Sequence, residues 1–325
     1  MPRARFAVLL LAALVGGGLA DGSGGVSLAL LTDEEADAST FGTAAAFPDV
    51  TPPVVSSSVI SKTTPYIPGF IRQGGTYHVY ANVTDAGSGV ATVRANVSNV
   101  TTGQTAVALV AGSYSIGGVT YNYRSASITA NAALTAGAKA YTITATDASS
   151  NSVTQGGFSV TVDNTQPAGS AIATTNVGGG TVGRPEIGDS ITLTFTEQID
   201  PQTILAGWTG AATSVVVRIT QAGGGDAITV RNAANSGQLP LGSVNLGGTG
   251  YLTTTRDFGA TGTASTMTQS GSSITIVLGT ASGAVGTQAS NTTMSWTPAA
   301  AATDRAGNAC LTTVITEAAP ADIEF

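Results

Sequence analysis

Four aspartates stand in turns that are predicted from the sequence, where their carboxylates could converge on a cation. Asp85, Asp147 and Asp163 fall in turns or in the linker of one predicted domain, and Asp304 occupies the matching turn of the other. Calcium takes about six to eight oxygen ligands, and the ends of β-sandwiches collect carboxylates and carbonyls. The competing interpretation is that each aspartate accepts hydrogen bonds within its own turn. Calcium is therefore the one cofactor hypothesis, and no residue is assigned as a metal ligand.

A second stretch of the chain invites a catalytic interpretation. Gly188-Asp-Ser-Ile191 resembles the nucleophile block of the lipase family named for Gly-Asp-Ser-Leu. That chemistry needs the hydroxyl of Ser190 at the end of a strand, with a histidine base within hydrogen-bonding distance. The histidine of this chain, His78, lies upstream in the other predicted domain, and Ser190 enters an alternating strand instead of leaving one. We predict no catalytic residue, and a hydrolase remains a remote alternative.

The aromatic residues of the first half allow a binding site for sugars. By strand alternation Tyr77 and Val79 face the core, so His78 is predicted to point outward. A platform on which sugars stack could be formed by Tyr77, Tyr80, Tyr114, Tyr121 and Tyr123. Cross-strand packing is the commoner use of aromatic side chains in sheets. Glycan binding is therefore kept as an alternative function.

The chain has one cysteine, Cys310, which cannot form an internal disulfide. A small buried hydrophobic side chain beside a strand is the expected role of such a residue. Export without disulfides is typical of bacterial surface proteins, whose large domains do not need such links.

The composition favours strands and argues against nucleic acid as a partner. Hydrophobic residues make up 42% of the 325 residues, which is enough for true cores, while only 10% are charged. Polarity is carried by Thr and Ser, which suits strands with one solvated face. The net charge is −7 and the basic residues do not cluster, so the chain lacks the means to neutralise phosphates.

Segments in which apolar and polar residues alternate predict β-strands on both sides of the turns. Residues 141–146 and 158–162 each alternate apolar and polar side chains, which predicts a hairpin with one buried face. Ala145-Thr-Asp-Ala-Ser-Ser-Asn151 is echoed by Ala302-Thr-Asp-Arg-Ala-Gly-Asn308, so two domains are predicted to end in the same way. We therefore predict an all-β protein of two tandem immunoglobulin-like β-sandwich domains that follow a secretory signal segment.

The predicted organisation has four parts. Residues 1–20 form a signal peptide, 21–50 a flexible or strand-donating lead-in, 51–167 the first domain and 168–325 the second, with an insertion near 232–270. Strands are expected at 54–60, 77–83, 91–97, 106–110, 119–123, 126–128, 141–146, 158–162, 187–196, 214–220, 227–231, 244–246 and 273–278.

The turn motifs carry a family resemblance. The run Val83-Thr-Asp-Ala-Gly-Ser-Gly-Val-Ala91, the closing hairpin and the exit Asp163-Asn-Thr-Gln-Pro167 resemble the repeats of bacterial Ig-like adhesins and surface proteins. Residues 187–203, together with the turn at 302–308, resemble the Ig-like repeat of surface-layer proteins, although Met294-Ser-Trp-Thr-Pro298 stands where that family has a tyrosine-led strand. The resemblance implies an exported bacterial module and is informative about fold more than about function.

The first residues indicate export. A short basic start, an apolar run of ten residues from Phe6 to Val15 and the small-residue exit Gly16-Gly-Gly-Leu-Ala20 describe a secretory signal, and a retained anchor is the alternative. Residues 26–47 resemble the segment after the signal in camelysin-like biofilm-fibre proteins, at Leu30-Leu-Thr-Asp33 and Thr40-Phe41. That resemblance implies a strand able to add to a neighbour's sheet.

Together these patterns predict a non-catalytic structural or adhesive protein that is secreted or held at the cell surface. Its expected partners are other surface or matrix proteins, including further copies of itself, and it meets the membrane only through the signal segment. The alternative function is a calcium- or glycan-binding module.

Overall fold

The computed structural model describes residues 48–63 and 67–325. The predictions for the signal segment and for the strand-donating segment 26–47 fall outside the described residues. The described part is almost entirely β-structure, so the predicted fold class is confirmed. Its one helix, α1 (Pro201–Ile204), has four residues, and no helix in the described ranges could cross a membrane.

The first sheet contains nine strands. They are β1 (Val54–Lys62), β2 (Phe70–Ile71), β3 (Thr76–Thr84), β4 (Val90–Asn96), β5 (Val107–Ile116), β6 (Val119–Ser125), β7 (Ile128–Thr129), β8 (Gly137–Asp147) and β9 (Ser152–Val162). Their order is β1-β3-β6-β5-β4-β8-β9-β2, and β7 pairs with β3. The leading segment is split: β1 pairs antiparallel with β3, while β2 pairs parallel with β9. This arrangement gives the immunoglobulin-like sandwich.

The core of the first domain follows the predicted alternation. Tyr141, Ile143 and Ala145 of β8 are buried, and the ring of Tyr141 stacks on that of Phe158 across the hairpin with centroids 5.6 Å apart. The hydrophobic side chains of β1, β3 and β4 pack against this face. Burial of this apolar surface is the main term that holds the two layers together.

The second sheet contains ten strands. They are β10 (Gly169–Thr175), β11 (Ser190–Phe195), β12 (Thr213–Thr220), β13 (Ala227–Asn232), β14 (Ser243–Asn245), β15 (Arg256–Phe258), β16 (Ser265–Ser270), β17 (Ser273–Val277), β18 (Ser295–Thr297) and β19 (Ile315–Thr316). Their order is β10-β11-β17-β16-β12-β13-β14-β18-β19, and β15 pairs with β12. The first five positions of both orders correspond, and β13 to β15 are additional strands that lie between β12 and β16 in the sequence, although β12 and β16 pair with each other in the sheet. The core is centred on Trp296, which donates its indole N–H to Leu241 O and meets Phe195 edge to face.

The two sheets separate between Val162 and Gly169, and the residues between them form the linker. Side chains from both domains meet across this linker. Lys62, at the end of β1, contacts the carboxylate of Asp200 at 2.7 Å and donates a hydrogen bond to Asp304 O. The first domain therefore places a lysine inside the second.

Candidate functional site

The structure divides the four predicted aspartates between two clusters. Asp85 and Asp147 lie together, but Asp163 lies with Asp304, at the start of the second domain and not with the other two. A third carboxylate completes each cluster: Asp49 in the first and Glu197 in the second. We call the first set (Asp49, Asp85, Asp147) the lead-in cluster and the second (Asp163, Glu197, Asp304) the junction cluster. In each, one oxygen from every carboxylate lies within 4.8 Å of the others.

The same three elements position the carboxylates in both domains. One acid comes from the segment before the first strand, one lies one or two residues after the end of β3 or β11, and one stands in the closing turn. The leading acids accept hydrogen bonds from equivalent amides, Thr51 N to Asp49 Oδ1 and Thr165 N to Asp163 Oδ1, both at 3.0 Å. The two clusters are therefore copies of one arrangement at equivalent ends of the two sandwiches.

An asparagine fixes the closing aspartate in each copy. Asn151 donates from its backbone N to Asp147 Oδ1 and from its side chain to Asp147 Oδ2, both at 2.7 Å. Asn308 repeats both bonds to Asp304, at 2.7 and 2.8 Å. The two side-chain amides also donate to the main-chain carbonyl of the leading acid, Asp49 or Asp163, each at 2.9 Å. We call each pair an Asp-Asn clamp, because it ties the closing turn to the segment that enters the domain.

Turn hydrogen bonds account for most of the carboxylate oxygens, as the simpler interpretation predicts. Asp85 Oδ2 accepts from Gly87 N and Gly89 N, and Asp304 Oδ1 accepts from Gly307 N as well as Asn308 N. Two oxygens differ. Asp85 Oδ1 and Glu197 Oε1 are buried and have no hydrogen-bond partner among the residues that the structure describes. Each cluster therefore contains one carboxylate oxygen that a cation could satisfy.

Burial makes the junction cluster electrostatically different from the lead-in cluster. Burial, with the nearby charges of Asp163 and Asp304, raises the pKa of Glu197 to about 7. Burial also raises the pKa of Asp304, although its bonds from Asn308 and Gly307 oppose the shift. In the lead-in cluster, backbone bonds from Ser88 and Thr51 lower the pKa of Asp49. A cation would therefore relieve more electrostatic repulsion in the junction cluster than in the lead-in cluster.

A pH titration should detect this repulsion. Glu197 holds its proton more tightly in the folded state, so its contribution to stability is complete below pH 4.5 and is lost as the pH rises through about 7. We expect the unfolding free energy to fall by about 2 kcal/mol across this window, after a discount for solvent screening. Urea unfolding in the presence of a chelator measures it. Glu197→Gln should reduce the slope by the contribution of Glu197, while the raised pKa of Glu324 leaves a slope in both proteins. Equal slopes in both proteins would contradict the assignment.

The catalytic interpretation gains no support from the geometry. Ser190 is paired within the sheet, opposite Thr175 on one side and Val277 on the other. The preceding Asp189 is buried and accepts hydrogen bonds from Val177 N and Glu186 N, so its carboxylate organises the loop before β11. His78 lies in β3 of the other sheet, where its Nδ1 is 2.9 Å from Ser125 O. The side chain of His78 is half-buried. The prediction that it is exposed was therefore wrong.

The tyrosines do not form an open platform. Tyr77 is buried in the main core of the first domain, and Tyr80 and Tyr121 pack together with Ile116 in a second small core. The ring of Tyr114 is covered by the guanidinium of Arg124, which lies 4.4 Å from its centroid. These aromatic faces are used for packing, as the commoner interpretation predicts.

Cys310 is a buried free cysteine beside the junction, which confirms the expected role. Burial, with the nearby charge of Glu197, raises the pKa of its thiol to about 11 from an ordinary value of 9.0. We expect alkylation of the folded protein at mildly alkaline pH to be about 100-fold slower than that of the unfolded chain, since only the thiolate reacts. Iodoacetamide labelling followed by mass spectrometry measures the two rates. Comparable rates would show that the thiol is accessible.

Sequence reasoning missed Asp49 and Glu197, although a repeated signal marks both. Asp-x-Thr-x-Pro occurs at 49–53 and again at 163–167, and Thr-Asp at 84–85 matches Thr-Glu at 196–197. With the closing turns, these pairs form a three-part pattern that occurs once per domain.

Comparison with protein families finds no match for the chain, and comparison with curated proteins finds no significant relative. The repeated carboxylate arrangement and the junction contacts are therefore the observations on which a function has to be argued.

Proposed function

We propose that this protein is a non-catalytic, exported structural component of a bacterial cell surface or extracellular matrix, in which two Ig-like sandwiches form a spacer of fixed geometry. The observation that carries the proposal is the network of side chains across the domain junction. A flexible pair of modules would need no such contacts, because inter-domain interfaces within a chain are commonly small and mobile.

The junction combines an ion pair, a cation–π contact and hydrogen bonds. The Lys62–Asp200 pair is nearly excluded from solvent, with side-chain exposures of 11% and 0%. The guanidinium of Arg305 lies 4.0 Å from the ring centroid of Phe70, which joins the second domain to β2 of the first. Gln166 Nε2 donates to Ala309 O, and Leu311 N donates to Pro167 O, so the linker is fixed as well. These contacts act from several directions and oppose bending about the linker.

Small-angle X-ray scattering of the mature protein tests the spacer. A single rigid arrangement of the two domains should fit the scattering curve, and the maximum dimension should not change with ionic strength. A curve that requires a broad ensemble of inter-domain angles would refute a fixed geometry.

A second candidate function is calcium binding at the lead-in and junction clusters. It is favoured by the two buried carboxylate oxygens, Asp85 Oδ1 and Glu197 Oε1, for which the described part of the chain offers no hydrogen-bond partner. The repetition of the arrangement in both domains adds to this support. Calorimetry in about millimolar calcium, the range in which extracellular modules bind it, tests the proposal. The double variant Asp85→Asn/Glu197→Gln should lose the part of the heat that comes from the lead-in and junction clusters. No heat with the wild-type protein would leave the aspartates as turn formers only.

Self-assembly is a further part of the proposal, based on the resemblance of residues 26–47. The described residues neither support nor oppose it. Deletion of 26–47 from the mature protein should abolish polymers seen by electron microscopy, whereas unchanged polymers would rule out assembly through this segment.

A further inference from the structure

A third group of carboxylates lies outside both repeated clusters. One oxygen each from Glu317, Asp322 and Glu324 lies within 4.8 Å of the others. We call this set the Glu317 cluster. It is formed by residues that follow β19, and no equivalent third cluster occurs among the described residues of the first domain. It therefore requires its own explanation.

Glu324 is the unusual member of the cluster. Its side chain has no exposed surface, and its Oε2 accepts a hydrogen bond from the hydroxyl of Thr174 in β10. Its Oε1 is buried and has no hydrogen-bond partner among the described residues. A buried carboxylate oxygen without a donor is unfavourable, because it has lost its hydrogen bonds to water and gained none in the protein. Some group must compensate this oxygen.

The neighbouring carboxylates do not supply a donor. Glu317 lies within hydrogen-bonding distance of Glu324, but both are acids, and Glu317 Oε1 already accepts from Met294 N at 3.0 Å. Asp322 is held in place through its main chain, since Thr292 N donates to Asp322 O at 2.8 Å. No salt bridge to any of the three occurs in the part of the chain that the structure describes.

Two species could satisfy this site, a shared proton or a cation. One oxygen of each acid lies within 4.8 Å of the others and Glu324 is fully buried, so the charged forms of these carboxylates repel one another. A proton would neutralise one of the three acids and leave two. A divalent cation would neutralise two charges at once and would engage all three carboxylates.

We propose that Glu317, Asp322 and Glu324 bind a hard divalent cation of the calcium class. Carboxylate oxygens are the preferred ligands of such ions, and water completes their coordination. Asp322 is exposed, which gives the ion access from solvent, while the buried Glu324 gives it a fixed anchor. The bound ion would link residues 317–324 to β10 through Thr174. This proposal does not depend on the spacer or on the two repeated clusters.

Hydrogen–deuterium exchange of the mature protein provides a local test. At a calcium concentration about ten times the dissociation constant, opening of residues 317–325 should become about tenfold less frequent than in chelator. Asp322→Asn, which changes an exposed side chain, should abolish this protection. The matched variant Asp85→Asn/Glu197→Gln should keep it, because its substitutions lie in the other clusters. Loss of protection in the matched variant would overturn the assignment.

A second variant separates the ion from the proton. In Glu324→Gln, an amide can donate a hydrogen bond to Glu317, so the fold should persist in chelator while the response to calcium is lost. The proposal is wrong if calcium leaves the exchange of residues 317–325 unchanged in the wild-type protein and acidification slows their opening. A shared proton would then explain the site. If the spacer proposal is wrong, the scattering curve will show it, and the hydrogen–deuterium exchange of residues 317–325 will not change.

Discussion

Replacement of Lys62 by methionine should destabilise the second domain by up to about 3 kcal/mol and should broaden the inter-domain angles. Removal of one partner of a buried ion pair is costly, because the other charge keeps its desolvation penalty. Asp200 has no exposed surface and also caps α1 by accepting from Gln202 N. If the junction opens in the variant, Asp200 is rehydrated. The free energy of opening the junction therefore sets the upper limit of the destabilisation.

Tryptophan fluorescence is a selective probe for this experiment. Trp208 and Trp296, the two tryptophans of the chain, are both buried in the second domain. Urea unfolding followed at this signal therefore reports the domain that receives the lysine, and scattering reports the angle.

Matched variants make the result specific. Lys139→Met removes the other lysine of the chain, whose amine donates to Thr135 at an exposed site, and should change stability by less than about 0.5 kcal/mol. Lys62→Met/Asp200→Asn removes both charges and should recover part of the loss. If Lys62→Met unfolds like the wild-type protein and scatters like it, the ion pair does not hold the junction.

The junction was beyond prediction for a physical reason. Lys62 and Asp200 are separated by 138 residues, and no sequence pattern pairs them, so only the docking of the domains brings them together. The same is true of Arg305 and Phe70. By contrast, regular alternation predicted the strands β8, β9 and β11, because one buried face imposes a period of two on the sequence.

Several of the missed strands lack this period, although β16 buries Ser265 and Met267 in alternation. β10 buries only Ile172 among its seven residues, and β2 and β19 have two residues each. Such strands are defined by hydrogen bonds to a neighbour that is distant in the sequence. For the same reason β5 extends to Ile116, beyond the predicted 106–110, where its pairing with β6 continues past an irregularity after Ala111.

In the candidate sites, too, some features could be predicted from the sequence and others could not. The turn aspartates could be predicted, because Asx chemistry is local, and the repeat of Ala-Thr-Asp marked the closing turns. Their grouping could not be predicted, because Asp163 follows the last strand of one domain but packs with the next. The Glu317 cluster was missed because its members only meet where residues after β19 fold back onto β10.

Removal of the side-chain amide in the second Asp-Asn clamp, by Asn308→Ala, should lower the stability of the second domain by about 3 kcal/mol. The amide donates one hydrogen bond to the buried Asp304 carboxylate and one to Asp163 O, at 2.8 and 2.9 Å. Hydrogen bonds to charged groups contribute about 1.5–3 kcal/mol, and a buried acceptor that loses its donor is costly. Tryptophan fluorescence in urea measures the change.

The equivalent substitution in the first domain is the natural control. Asn151→Ala should leave the tryptophan transition within about 0.5 kcal/mol of the wild-type value, since its clamp closes onto Asp49 in the other domain. Asn308→Asp should be worse than Asn308→Ala at neutral pH, because it adds a carboxylate beside Asp304, and acidification should relieve the difference. If both Asn308 variants are as stable as the wild-type protein, the clamp is not what ties the closing turn to the linker.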